Sequence, residues 1–325
     1  MTDNMTADMS AEKIALVGAG LIGRAWAVAF ARGGRRVALW DPQPGAAMAA
    51  LDLVPGMLDD LARQDLLAGQ APAEVLARIE VRPTLAAALD GAGYVQESAP
   101  EVLETKVEIT AEIARLAGPE TVIASSTSGF VPSTFTETAP GRERCLVAHP
   151  INPPYLLPAV EVVPAPWTAQ AAVDRACEVL ESVGQETVVL RKELDGFVLN
   201  RLQAAVLCEA FRLVAEGYVS AADLDRAMAG GLGPRWSFMG PFETIDLNAP
   251  QGIRQYVERY EPLCQRLVPD RKAPCDWTAA LDAGLEAARR ETLPRDGLGA
   301  RQAWRDRRLM ALAAHKHRAR SEIGD

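Results

Sequence analysis

Lys13-Ile-Ala-Leu-Val-Gly-Ala-Gly-Leu-Ile-Gly23 is the stretch on which the reading of the fold turns. Lys13–Val17 is a short apolar run of strand type, and the glycine turn Gly18-Ala-Gly20-Leu-Ile-Gly23 follows it at once. Leu21 to Ala31 continues as an apolar helix, with Gly33-Gly34 as its stop. A second strand, Arg36–Trp40, ends at Asp41, 18 residues past Gly23. Strand, glycine turn, helix, strand and acid together form the full context of a dinucleotide-binding unit. The glycines let the backbone approach a diphosphate at the helix N-terminus, where amides and helix dipole favour an anion. Gly18, Gly20, Leu21, Ile22 and Gly23 are therefore cofactor-binding candidates. Asp41 would accept from ribose hydroxyls and repel a 2′-phosphate, so NAD is the expected cofactor. The alternative is a tight turn that happens to be rich in glycine.

Residues 44–79 are longer than a simple crossover needs. They read as an inserted helical hairpin, broken near Pro55-Gly56 and again near Gln70-Ala-Pro72. Short strands then alternate with helices: Ile79–Val81, Tyr94–Glu97, Thr121–Ser125, Cys145–His149, Ala159–Val163 and Thr187–Leu190, with helices that include Glu101–Leu116 and Ala169–Val183. Such alternation specifies a mostly parallel sheet covered on both faces. After Leu190 the strands stop. Arg191-Lys-Glu-Leu-Asp-Gly196 is a charged linker, and the remainder is helical in pattern, opening with Phe197–Glu216 and closing with Ala300–His315. The expected fold is α/β, with an N-terminal Rossmann-type doubly wound sheet over residues 13–190 and a linker at 191–196. An all-helical domain over 197–325 completes it, and residues 1–12 are expected to be a disordered tail.

Composition narrows the function classes. The 325 residues allow two domains with substantial cores, and 49% hydrophobic with 24% charged residues is ordinary for a globular chain. A net charge of -9 disfavours nucleic acid and anionic membranes as partners. No apolar run approaches the roughly 20 residues that span a bilayer, and residues 1–12 lack the basic start and apolar centre of a signal peptide. Five scattered cysteines without a Cys-x-x-Cys pair point to reduced thiols in a cytoplasmic protein, with neither a disulfide frame nor a zinc site. His315 and His317 lie two apart on an expected helix and make a poor metal pair. No Gly-x-Ser-x-Gly occurs, which weakens a hydrolase reading.

The first of only three histidines opens a second informative stretch, His149-Pro-Ile-Asn-Pro-Pro-Tyr-Leu-Leu-Pro-Ala-Val-Glu161. His149 ends one apolar strand and Glu161 sits inside the next, with prolines forbidding helix between them. A carboxylate inside an apolar strand needs a partner. A histidine at the adjoining strand end can supply one, with the acid fixing the imidazole tautomer. Ser125-Ser-Thr-Ser128 follows a strand at its carboxyl end, where such sheets bind ligands. Asn152 and Asn200-Arg201 complete the polar positions of interest. Taken singly, each has a structural reading as core histidine, turn residue or solvated helix position.

Together these residues resemble the 3-hydroxyacyl-CoA dehydrogenase superfamily nearly from end to end. The matching pieces are Gly18–Gly23 with Asp41, Glu101 with Lys106, Ser125–Ser128, His149–Pro153, Glu161, Gly196-Phe-Val-Leu-Asn-Arg201 and Met239-Gly-Pro-Phe-Glu243. The resemblance implies a catalytic dyad of His149 and Glu161, with Ser128 and Asn200 beside the reacting carbon. It also places Glu101 and Lys106 on the nicotinamide side of the cofactor. Arg144–Tyr155, Gly231-Leu-Gly-Pro-Arg-Trp-Ser-Phe-Met-Gly-Pro241 and Arg301–Asp306 resemble more closely the L-gulonate 3-dehydrogenase group, which includes lambda-crystallin.

A charge argument favours the same branch. An acyl-CoA enzyme must hold phosphates, and phosphate recognition needs cations. Residues 46–80 carry six acids (Asp52, Asp59, Asp60, Asp65, Glu74, Glu80) against two arginines, Arg63 and Arg78, and no lysine. A small polyol acid needs one cation for its carboxylate, for which Arg235, on an expected glycine-flanked turn of the second domain, is the candidate beside its reading as a surface arginine. The expected reaction is NAD-dependent oxidation of L-gulonate to 3-dehydro-L-gulonate, with His149 as base and no metal. Short-chain 3-hydroxyacyl-CoA thioesters, another small 3-hydroxy acid, and a non-catalytic crystallin-like role are the alternatives. The apolar run Phe197, Val198, Leu199, Leu202, Ala205, Val206, Phe211 and Leu213, together with the resemblance, leads us to expect a homodimer built on the helical domain.

Overall fold

The computed structural model describes residues 12–267 and 284–324. The strands are β1 (Lys13–Val17), β2 (Arg36–Trp40), β3 (Ile79–Val81), β4 (Ala92–Glu97), β5 (Val122–Ser125), β6 (Cys145–Pro150), β7 (Ala159–Pro164) and β8 (Glu186–Val189). They form one sheet of order β3-β2-β1-β4-β5-β6-β7-β8. All neighbours are parallel except β6 and β7. The fold is thus the expected mostly parallel α/β sheet followed by helices.

Both faces of the sheet are covered, which is why β1 has no polar alternation. Ile14 and Leu16 enter the core that holds Trp26 and Phe30, while Ala15 and Val17 enter the opposite core with Leu85, Leu89 and Ile113. The order reverses at the β1/β4 boundary, the place where open α/β sheets leave a ligand crevice beyond their carboxyl ends. The one antiparallel pair follows from its connection. A parallel return needs a crossover of a dozen or more residues, whereas residues 151–158 are short and broken by Pro153, Pro154 and Pro158. The chain therefore doubles back, and His149 comes to lie directly opposite Glu161.

Two expectations need correction. The helix Ala46–Arg63 continues through Pro55 and does not break at Pro55-Gly56. Ala47, Ala50, Val54, Leu58 and Leu61 bury one continuous stripe, and Pro55 is on the exposed side, where water can serve the carbonyl its missing N–H leaves open. The later interruption is present, with positive φ at Asp65, Ala68 and Gly69 before the short helix Pro72–Leu76. Reduced thiols throughout is the second: Cys145, Cys177 and Cys264 are free, but Cys208 is disulfide-bonded. Spacing along a chain does not report which cysteines helix packing brings within bonding distance.

The chain forms two compact units. One comprises the chain up to Leu199 together with Trp304 onward, and the other is Asn200–Ala303. The first therefore takes in the end of the last helix, Leu298–Ile323, whose Met310 is buried in the core that also holds Trp26 and Phe30. The second is helical among its described residues, from Leu199–Ala215 through Ile253–Leu267 and Leu285–Thr292. No described helix is long and apolar enough to cross a membrane. The expected tail 1–12 lies outside the described residues except for Glu12, whose carboxylate accepts from Arg175 and pairs with Arg35.

Candidate active site

The glycine turn is built as a cradle. Gly18 takes φ +98°, and a Cβ there would come within 2.7 Å of the Ser98 carbonyl oxygen. At Gly23 a Cβ would come within 1.8 Å of the Gly18 carbonyl oxygen. These two glycines close the turn against the helix and against the end of β4. Gly20 differs, because nothing lies within 4 Å of its missing side chain. Its open face, followed by a helix start with no side-chain cap, leaves amides and space for an anion.

Asp41 fixes the turn from the end of β2. Its Oδ2 accepts from the Ala19 amide at 2.7 Å and its Oδ1 from the Gln43 amide at 2.8 Å. A carboxylate has about four acceptor positions, so hydroxyl recognition remains open to it. The residues present fit a dinucleotide. Asn152 Oδ1, three residues beyond His149, is a buried acceptor without a hydrogen-bond partner among the described residues.

His149 and Glu161 meet. Nδ1 of His149 is 2.8 Å from Glu161 Oε2, and both side chains are buried. The other oxygen, Oε1, accepts from the amides of Val198 at 2.7 Å and Leu199 at 3.0 Å. Burial by itself would raise the Glu161 pKa. The hydrogen bonds from His149, Leu199 and Val198 and the His149 charge outweigh it, and the carboxyl is held below its ordinary value. An ionised Glu161 only accepts, so Nδ1 carries the proton and Nε2 is the basic nitrogen. Phe135, Val147, Val163, Leu190 and Phe197 pack together on this side of the sheet, and the Phe197 ring centroid is 5.3 Å from that of His149.

Phe197 is a member of this site that the sequence reading missed. It is fully buried and holds φ +53°, directly after Gly196 at φ +72°. Two successive left-handed residues turn the next two amides toward one acceptor, and Glu161 is that acceptor. The motif Gly196-Phe197 before an apolar helix was visible. No propensity rule assigns a left-handed conformation to phenylalanine.

The loop after β5 is held by carboxylates. Glu101 Oε1 accepts from the amides of Ser128 at 3.0 Å and Gly129 at 2.9 Å and from the Thr127 hydroxyl. Ser128 itself is exposed. Lys106 is only 1% exposed, and its ammonium donates to both oxygens of Glu97, at 2.9 and 3.1 Å, and to the Ala99 carbonyl at 3.0 Å. Three donors are thereby engaged within the protein. Glu97 also accepts from Ser125 and the Ala99 amide. Glu97 was read from sequence only as a strand residue, since a buried ion pair leaves no trace in spacing.

Asn200 and Arg235 are in the second unit. Asn200 is half-buried, the second residue of the helix Leu199–Ala215. Arg235 is exposed in the short helix Gly233–Trp236, which follows the wide turn Met228–Leu232. A glycine-flanked turn was expected at Arg235. Pro234 near the start of the segment suits a helical first turn instead.

Residues 13–194 match the model of the 3-hydroxyacyl-CoA dehydrogenase NAD-binding domain, and residues 196–289 match that family's C-terminal domain. A lambda-crystallin homolog from Bos taurus is 43% identical over 307 residues, covering 94% of this chain and 95% of the relative. An L-carnitine dehydrogenase from Burkholderia mallei is 37% identical over 304 residues, covering 93% of each. Among solved structures, an NAD+-dependent 5-formyl-3-hydroxy-2-methylpyridine 4-carboxylic acid 5-dehydrogenase is similar at TM-score 0.79 and 26% identity, over 93% of this chain and 97% of the other.

Proposed function

The chain belongs to the 3-hydroxyacyl-CoA dehydrogenase family, and we propose that its substrate is a small hydroxy acid, L-gulonate, oxidised to 3-dehydro-L-gulonate. Membership makes it an NAD-dependent hydroxy-acid dehydrogenase. In the proposed reaction His149 Nε2 removes the proton of the substrate's secondary hydroxyl. Glu161 holds the opposite ring nitrogen and stabilises the imidazolium that forms. NAD+, when bound, accepts the hydride. Gly18, Gly20, Leu21, Ile22 and Gly23 would hold its diphosphate and Asp41 its adenosine ribose.

Ser128 and Asn200 are assigned to the oxygen that becomes a carbonyl, an assignment supported by their match to the family pattern. Glu101 acts on Ser128 by fixing its backbone, and the Glu97–Lys106 pair stiffens the strand end beneath. Packing around the His149 ring keeps it in one rotamer, which serves orientation.

The observation that carries the choice of substrate is the state of the inserted helices. Asp52, Asp59, Asp65 and Glu74 are exposed along that segment. Arg63 is paired with Asp60, and Arg78 donates to the Ala31 carbonyl and the Gln70 side chain. Such a surface repels a coenzyme-A 3′-phosphate and leaves a free hydroxy acid indifferent. Arg235 is the proposed partner of the acid's carboxylate.

L-carnitine is a second reading, favoured by the L-carnitine dehydrogenases at 37–40% identity. It too is a 3-hydroxy acid, and its quaternary ammonium suits an acidic protein. We further propose a homodimer formed through the second unit, where Leu202, Trp236, Phe238 and Phe242 are exposed. A panel of hydroxy acids followed by NADH absorbance tests the substrate, and light scattering at micromolar concentration tests the dimer.

A further inference from the structure

A chain of buried hydrogen bonds beneath the cofactor crevice has only one possible direction. Tyr94 and Gln96, both fully buried on β4, are joined by a 2.8 Å bond from the Tyr94 hydroxyl to Gln96 Oε1. Gln96 Nε2 lies 3.1 Å from the Ala148 carbonyl and 2.7 Å from Ser126 Oγ. A carbonyl only accepts, so the Gln96 amide must present its nitrogen to both. The Trp26 indole nitrogen, 3.2 Å from Ser126 Oγ, only donates. Ser126 therefore accepts twice, and its own hydrogen goes to the remaining neighbour, Ser98 Oγ at 3.0 Å. Ser98 is thus an acceptor toward the protein interior. Its own hydroxyl hydrogen has no acceptor among the described residues.

Ser98 is half-buried and follows β4 at the point where the strand order reverses. Its carbonyl oxygen is the atom that a Cβ on Gly18 would strike, and its amide donates to the Val17 carbonyl at 2.7 Å. It therefore borders the turn that carries the diphosphate. We propose that Ser98 is a cofactor-binding residue that donates its hydroxyl hydrogen to a phosphate or ribose oxygen of the bound dinucleotide, with Trp26, Gln96 and Ser126 fixing it in the donor role. The inference rests on the dinucleotide reading of the glycine turn. A hydroxyl hydrogen with no acceptor inside the protein gives up no internal hydrogen bond when it binds the ligand.

Calorimetric titration of the full-length protein with NAD+ and with ADP-ribose, without substrate, tests this. The unmodified protein should bind both. Ser98→Ala should weaken both about tenfold, as expected for a lost hydrogen bond to a charged or strongly polar acceptor, with the melting temperature of the ligand-free protein unchanged. Ser98→Cys fills the same space with a weak donor and should behave like Ser98→Ala, whichever way the alanine variant folds. If either variant binds NAD+ within twofold of the unmodified protein, Ser98 makes no such bond. A loss confined to NAD+ and absent for ADP-ribose moves the contact to the nicotinamide and overturns the assignment. Failure of the unmodified protein to bind either ligand removes the dinucleotide reading itself.

Discussion

Glu161 serves two partners at once: Oε2 accepts from His149 Nδ1, while Oε1 accepts from the amides of Val198 and Leu199. One buried carboxylate so ties the His149 ring to the backbone amides of Val198 and Leu199. The register of β6 and β7 sets the pair, because His149 and Glu161 are direct cross-strand partners on one face of the sheet.

His149→Gln keeps the size and polarity of the side chain but supplies no base. Its kcat should fall by roughly 10²–10⁴-fold, the range for a lost general base. NAD+ affinity, read by titration, should stay within about twofold. Activity within threefold of the unmodified enzyme makes His149 a core histidine.

Glu161 gives a pH signature. Its folded-state pKa is depressed, so the stability it contributes is full above the unfolded value of about 4.3 and is lost as pH falls through the lower folded value. Glu161→Gln should cost about 1.5–3 kcal/mol at pH 7, as for hydrogen bonds to a charged group. The difference from the unmodified protein should shrink steadily below about pH 4. Urea unfolding at the two pH values measures it, and an equal difference at both would show that the charge is immaterial.

Gly20 and Gly23 should separate binding from folding. Gly20 has extended backbone and open space around it, so Gly20→Ala should fold normally and bind NAD+ poorly. Gly23→Ala drives a methyl into the Gly18 carbonyl oxygen and should lower the melting temperature by several degrees or more. Differential scanning calorimetry with NAD+ titration distinguishes them.

Asp41→Ala should weaken NAD+ binding and narrow the preference over NADP+, since the like charge facing a 2′-phosphate is gone. Part of the loss reflects the Ala19 amide, which Asp41 also holds. Comparing Kd for both cofactors in both proteins checks this, and equal use of NAD+ and NADP+ by the unmodified enzyme contradicts it.

Local pattern made the eight strands legible, because each is a short apolar run bounded by glycine, proline or charge. The cofactor turn was equally plain, since its glycines and Asp41 are contiguous or at fixed spacing. What stayed hidden depends on contacts between distant residues. Pro55 reads as a breaker, yet a buried stripe on the opposite side carries the helix through it. The resemblance sets Lys106 on the cofactor side, and its buried pair with Glu97, nine residues earlier, leaves no mark in the spacing. Gln96 and Ser126 look like ordinary strand and turn residues until Trp26 and Ala148 fix their hydrogen bonds. The Cys208 disulfide belongs to the same class.

The substrate is the central claim, and kcat/KM for L-gulonate oxidation with NAD+, set beside that for acetoacetyl-CoA reduction with NADH, tests it most directly. The acidic inserted helices predict turnover of L-gulonate with little or none of the thioester. Arg235→Ala should lower the L-gulonate value by about 10- to 150-fold, the loss of a charge-assisted contact of roughly 1.5–3 kcal/mol. Acetoacetyl-CoA reduced far faster than L-gulonate is oxidised, with Arg235 immaterial to both, contradicts the account and leaves only the family.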